Sequence, residues 1–171
     1  GVGYNALTAN TTGVKNTSVG AYAMQANTTG SYNVAVGSEA LAANTTAGQN
    51  VAVGFKALKD CTTGAENVAI GFYSMMDVTT AQYNTAVGEQ SMENITTGTR
   101  NVAIGNGCMN ANSTGSYNTA LGTGALQTYT GSSNTAIGYD CMTNCSTGGS
   151  NTAVGYHAGE QITTGSENVL M

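Results

Sequence analysis

The sequence predicts an all-β fold, a parallel β-solenoid of about ten 17-residue coils running through residues 1–171 as a single repeat array. Three observations carry this. A glycine preceded by Val, Ile or Leu recurs at Gly3, Gly20, Gly37, Gly54, Gly71, Gly88, Gly105, Gly122, Gly138 and Gly155, every 17 residues except for one step of 16 between Gly122 and Gly138. Asn stands four places before each of these anchors from Gly20 onward, and again at Asn168. A period this short cannot hold a helical hairpin, which needs about 30 residues or more, but it can hold one coil of a solenoid. Ten such coils stacked at strand spacing make a rod of roughly 45 Å.

Each coil reads in order. The Asn column (Asn16, Asn33, Asn50, Asn67, Asn84, Asn101, Asn118, Asn134, Asn151 and Asn168) forms a ladder, its amides bonding to one another or to turn backbone groups of adjacent coils. The next three residues, such as Val51-Ala52-Val53, form a strand. The anchor glycine follows, and then a second short strand that includes Leu58, Met75 or Met92. Thr-Thr-Gly closes the coil as a turn whose glycine supplies a positive φ, with Ala47 and Ala81 as exceptions. The step of 16 arises in "LQTYTGSSN", where this turn has lost one residue.

All thirteen charged residues fall one, two, five, six or twelve places after an anchor, which marks those columns as solvent-facing. Val53, Ile70 and Val87, before the anchor, and Leu58, Met75 and Met92, four places after it, are the predicted core. Their small neighbours (Ala52, Ala69 and Ala86; Ala57, Ser74, Ser91, Cys108 and Cys141) should then point outward, because strand neighbours alternate faces. These small columns never carry charge, so they are predicted to pack against another chain. The alternative is that both neighbours turn inward at a corner.

Composition excludes several function classes. Charged residues are only 8% of the chain and the net charge is −5, with Lys15, Lys56, Lys59 and Arg100 dispersed, so no phosphate-binding surface and no nucleic-acid partner is expected. No apolar run approaches the roughly 18 residues of a membrane span. The four cysteines match neither a disulfide framework nor a zinc pattern, although Cys141 and Cys145 share a coil and could bridge. His157 has no metal-ligand set or nucleophile beside it, and the carboxylates are scattered apart from Asp60 and Asp77 in one column. Nucleophile, base and orienting group do not converge anywhere, so no enzyme, cofactor or metal is expected.

Three features point to surface roles. Tyr4, Phe55, Phe72, Tyr139 and Tyr156 share one exposed column and are candidate contacts for a host surface or glycan receptor; cross-coil ladders are the structural alternative. Seven Asn-x-Ser/Thr triplets occur, of which Asn94 and Asn144, in a column that tolerates charge, are the candidate glycosylation sites. The Thr-Thr file (Thr11-Thr12, Thr28-Thr29, Thr45-Thr46, Thr62-Thr63 and onward) resembles that of insect antifreeze solenoids, which makes ice binding the alternative function.

The phrases "NVAVGFKAL", "NTAVGEQSM" and "NTAIGYDCM" resemble the head repeats of trimeric autotransporter adhesins. The longer form with "xxNTTGxxN" also looks like repeats in tail-fibre and surface-fibre proteins of phages and bacteria. The resemblance covers Gly3 to Val169, with a longer period than the adhesin heads. It implies a left-handed β-roll, homotrimeric or filamentous self-association, and a structural or adhesive role in an extracellular fibre on a cell or virion surface. The chain begins and stops in mid-phrase, as a segment of a longer fibre would.

Overall fold

The computed structural model of the chain describes every residue except Cys145. It is an all-β parallel solenoid with no helix among the described residues. Ten short strands form one sheet: β1 Thr17–Val19, β2 Val34–Val36, β3 Val51–Val53, β4 Val68–Ile70, β5 Thr85–Val87, β6 Val102–Ile104, β7 Thr119–Leu121, β8 Thr135–Ile137, β9 Thr152–Val154 and β10 Val169–Leu170. Their order in the sheet is their order in the chain, and every neighbouring pair is parallel. Register is one repeat per step: Val51 pairs Val68, Ala52 pairs Ala69 and Val53 pairs Ile70. The 16-residue step leaves the sheet undisturbed, since Thr119 still pairs Thr135 and Leu121 still pairs Ile137. The missing residue is absorbed in the turn, where Tyr129 is fully buried.

Each coil carries one strand, where the sequence suggested two. The stretch after the anchor is instead a run of overlapping tight turns: Ala57 N–H donates to the Gly54 carbonyl, Lys59 N–H to Lys56 and Cys61 N–H to Leu58. The residues two and four places after the anchor have positive φ, for example Lys56 at 57° and Leu58 at 51°. Positive φ at the third residue is what a type II turn demands. It breaks the two-residue alternation of a strand, so Ala57 and Leu58 both point inward and both are buried. Coils still bond to each other through this arc: Leu58 N–H donates to the Ser74 carbonyl at 3.1 Å and Met75 N–H to the Ser91 carbonyl at 3.0 Å.

The packing of the strand reverses the expectation. Ala35, Ala52, Ala69, Ala86, Ala103, Ala120, Ala136 and Ala153 point into the coil and are fully buried. The Val, Ile or Leu before each anchor points outward; Ile70 is 39% and Leu121 is 45% exposed. The small column is therefore core, together with Leu41, Leu58, Met75, Met92, Met109, Leu126 and Met142 from the turn arc. Volume explains the choice. A coil of 17 residues has a narrow interior, and the long side chains of the arc reach across it to the sheet, leaving room for only a methyl on the strand side.

Glycine is required twice over at the anchor. Its φ lies between 130° and 143°, which L-residues rarely adopt, and a Cβ at Gly54 would collide with the Gly71 carbonyl of the next coil. The glycine of Thr-Thr-Gly differs from expectation. Gly30, Gly64 and Gly98 are not in the positive-φ region; they are small because the carbonyl of the next coil occupies the space a side chain would need. At Ala47 and Ala81 a buried methyl is accommodated, so this column excludes bulk, not every side chain.

Candidate functional site

The Asn ladder is the most developed polar feature. From Asn33 to Asn151 these side chains are buried. Each does two jobs. Its Oδ1 accepts the backbone N–H of the next Asn, as Asn50 Oδ1 accepts from Asn67 at 2.9 Å and Asn67 Oδ1 from Asn84 at 3.0 Å. Its Nδ2 donates to the carbonyl of the Thr-Thr-Gly turn of the following coil, as Asn50 does to Gly64 at 2.9 Å and Asn67 to Ala81 at 2.8 Å. The column thus ties the entrance of each strand to the turn that leads into the strand of the next coil. A second, shorter ladder runs seven places after the anchor, where Asn27 Nδ2 donates to Asn10 Oδ1 at 2.8 Å and Asn44 Nδ2 to Asn27 Oδ1 at 2.7 Å. Other coils carry Cys61, Val78 and Ile95 in this column, which marks it in the sequence as at least partly buried, and Asn27, Asn44 and Asn112 are buried accordingly.

The aromatic column divides into pairs. Phe55 and Phe72 stack with ring centroids 5.4 Å apart, Tyr139 and Tyr156 with centroids 5.5 Å apart, and Tyr4 meets Tyr22 edge-on at 5.3 Å. The following column joins them: Tyr73 lies 4.1 Å from Phe72, and His157 lies 4.1 Å from Tyr156 while its Nδ1 is 2.6 Å from Glu160 Oε2. Lys56 sits over Phe55, and Arg100 reaches between Tyr83 and Tyr117. Rings stacked along the rod spend much of their faces on each other and present edges outward. The outer faces at the ends of a pair remain open, and Tyr156, 76% exposed, is the most open of them.

Of the candidate glycosylation sites, Asn94 and Asn144 are both exposed, whereas Asn27, Asn44 and Asn112 are buried. Asn94 Nδ2 donates to the Asn110 carbonyl at 3.0 Å. The Thr file lies at a bend, and the hydroxyl of its first member is committed to the ladder: Thr11 Oγ1 donates to the Thr28 carbonyl at 3.0 Å, Thr28 Oγ1 to Thr45 at 2.9 Å and Thr96 Oγ1 to Ser113 at 3.0 Å. The second Thr of each pair stands exposed, as at Thr29, Thr63 and Thr97, and the first is exposed at Thr11, Thr79 and Thr163 but half-buried at Thr28, Thr45, Thr62 and Thr96.

Cys61, Cys108 and Cys141 are buried free thiols, and the proposed Cys141–Cys145 bridge involves a residue outside the described ones. Burial pushes the Cys61 and Cys108 thiols up to about 12, against a smaller opposing effect of backbone hydrogen bonds. Asp77 is raised by burial first and by the neighbouring Asp60 second, with Lys59 pulling the other way. Among the described residues there is no pocket and no group of three or more His, Cys, Asp or Glu able to hold a metal ion. No helix among them is long and apolar enough to cross a membrane. Comparison with family models, curated proteins and solved structures returned no match, so the functional reading rests on this geometry.

Proposed function

We propose that this chain is a structural and adhesive section of an extracellular fibre, a left-handed homotrimeric roll without catalytic activity, displayed on a cell or virion surface. The observation that carries the reading is the unbroken one-repeat register of ten strands, reinforced by a buried Asn ladder along the same axis. Such a lattice converts repeat number into length and resists bending, because each coil is bonded only to its neighbours and in the same way. Its surface carries few charges, the outward Val, Ile and Leu of the sheet standing among columns of Thr, Ser and Asn. Adhesive contact falls to the open rings, chiefly Tyr139 and Tyr156, with a host-surface glycan or protein as receptor.

Two measurements test this. Light scattering on the purified chain should give three times 17.2 kDa. Replacing Tyr139 and Tyr156 with Ser should weaken binding to host cells while leaving the particle mass unchanged; unaltered adhesion removes the receptor role from these rings. The hydroxyl of the first Thr of a pair, as at Thr11, Thr28 and Thr96, is spent on the neighbouring coil and the file sits at a bend, which favours the fibre reading over ice binding; thermal hysteresis of the purified chain tests that alternative, and none is the expected result.

A further inference from the structure

We propose that Arg100, held between Tyr83 and Tyr117, is a binding site for a sugar that carries a carboxylate, such as a uronic acid unit of a glycan. The site occupies a different column from Tyr139 and Tyr156 and requires no association between copies.

Tyr83, Arg100 and Tyr117 stand twelve places after three successive anchors. Their φ angles, 60°, 57° and 61°, describe one left-handed conformation, so the three side chains leave the rod alike, one strand spacing apart. The guanidinium carbon lies 4.9 Å from the Tyr83 ring centroid and 5.7 Å from that of Tyr117. Rings therefore attend both sides of the guanidinium, attracted to it by their negative faces. What remains is the edge, and the edge carries the N–H groups. Nη1 donates to Tyr117 Oη at 3.4 Å, a long bond, and the other guanidinium N–H groups have no partner among the described residues. Arg100 belongs to neither ion pair found among them, Lys59 with Asp60 and His157 with Glu160. It is the only arginine of the chain, and it is exposed.

The chemistry of this edge selects the ligand. A guanidinium fork matches a planar carboxylate, which accepts two parallel N–H bonds from it. The flanking rings restrict the side chain before a ligand arrives, so less freedom is lost on binding. Its charge is also unspent. The neighbouring columns at this height, Gln82, Thr99 and Ser116 on one side and Thr85, Val102 and Thr119 on the other, are uncharged. In its own column the carboxylate nearest in sequence is Glu66, two coils away beyond Tyr83, about 9.6 Å by strand spacing and close to one Debye length. A single cation in neutral surroundings suits one carboxylate, whereas a phosphate backbone needs clustered basic groups. The rings point to a sugar as the carrier. Beyond Tyr117 the column continues with Ser133, too short to cover the ring, and Tyr117 is 58% exposed. An open aromatic face thus lies beside the fork, and its negative quadrupole attracts the C–H face of a pyranose. The phenolic hydroxyls supply donors and acceptors for the sugar's own. A peptide carboxylate would use the fork and leave the ring idle.

Saturation-transfer NMR of sodium glucuronate with the purified chain tests this, with glucose as the neutral sugar and acetate and sulfate as competitors. The variants are residues the column already holds, so the coil accepts them: Arg100→Gln as at Gln49, Arg100→Lys as at Lys15 and Tyr117→Ser as at Ser133. Glucuronate should bind saturably and glucose should not. Arg100→Gln should abolish binding, and Arg100→Lys should weaken it about tenfold or more, because an ammonium offers no planar fork. Tyr117→Ser should weaken it several-fold. Lys15→Gln, which removes the cation beside Tyr32 in the same column, should leave binding unchanged. Absence of glucuronate binding by the native chain, or full binding by Arg100→Gln, overturns the site. Equal binding of glucose overturns the carboxylate, as does displacement by sulfate at equal concentration. Displacement by acetate at equal concentration overturns the sugar and leaves a peptide carboxylate or a simple anion as occupant. These readouts use no host cells, so they stand or fall separately from adhesion through Tyr139 and Tyr156.

Discussion

The backbone N–H of Asn101 donates to Oδ1 of Asn84 at 2.9 Å, across the boundary between two coils. Asn84 meanwhile donates from Nδ2 to the Gly98 carbonyl at 2.9 Å, so one side chain bonds at two points to the same corner of the next coil. Asn84→Ala leaves the Asn101 N–H and the Gly98 carbonyl without these partners in a buried setting. Each such orphan costs about 1–3 kcal/mol. The variant should lose about 3 kcal/mol in urea unfolding, and Asn84→Asp should lose a comparable amount at neutral pH, because a carboxylate cannot donate to Gly98.

Met75 lies at φ 52° and is fully buried. A β-branched residue is disfavoured there by clash of its branch with the backbone, at about 1–2 kcal/mol. Met75→Ile should therefore destabilise by about 2 kcal/mol, whereas Met75→Leu, of similar volume and seen in the same column at Leu58, should stay within about 1 kcal/mol. Thermal melts of the two variants check the difference, which is opposite to what a strand position would give.

Asp77 has its folded-state pKa raised by burial and by Asp60. A carboxylic acid with a raised folded pKa binds protons more tightly in the folded state, so stability falls as pH rises from the unfolded pKa through the folded one. Asp77→Asn removes that loss. The variant should be the more stable chain at neutral pH, and the gap should close on acidification below the ordinary carboxylate range. Denaturant midpoints across that window measure it.

The Cys61 and Cys108 thiols, pushed up to about 12, hold almost no thiolate at pH 8. Iodoacetamide at that pH should leave both unmodified in the folded chain and label both promptly in denaturant. Mass spectrometry of the labelled peptides resolves the two sites, and rapid labelling of Cys108 without denaturant would contradict its packing between Ser91 and Ala125 in the inner column.

Much of the fold was legible in the sequence, and the reasons are physical. The anchor glycines and the Asn column report backbone needs that no other residue meets, so period, register and parallel stacking follow from them. The facing of the strand did not follow, because alternation says only that Ala52 and Val53 point opposite ways. Which of them is inside depends on the width of the interior, and that width is set by Leu58 and Met75 reaching across it. A signal for the turn arc was present but unread. The columns two, four and twelve places after the anchor contain no Val, Ile or Thr in a chain rich in all three, and these are the columns with positive φ. Exclusion of β-branched side chains from Tyr22, Leu41, Glu66 and their counterparts marks left-handed backbone as clearly as glycine does. For the candidate contacts, the aromatic column was visible, but its pairing was not, since ring stacking depends on rotamers that a column of letters does not specify.

The strictly sequential order of the sheet makes length a free parameter of this design. Removing residues 51–67, one whole unit, would bring Asn50 onto the Val68 strand, restore an Asn–Val–Ala phrase and shorten the stack by a single spacing, with no distant contact to repair. Extension by duplication works the same way. A gene encoding such an array can therefore adjust reach in discrete steps of one strand spacing, by recombination between repeats, without inventing any new core.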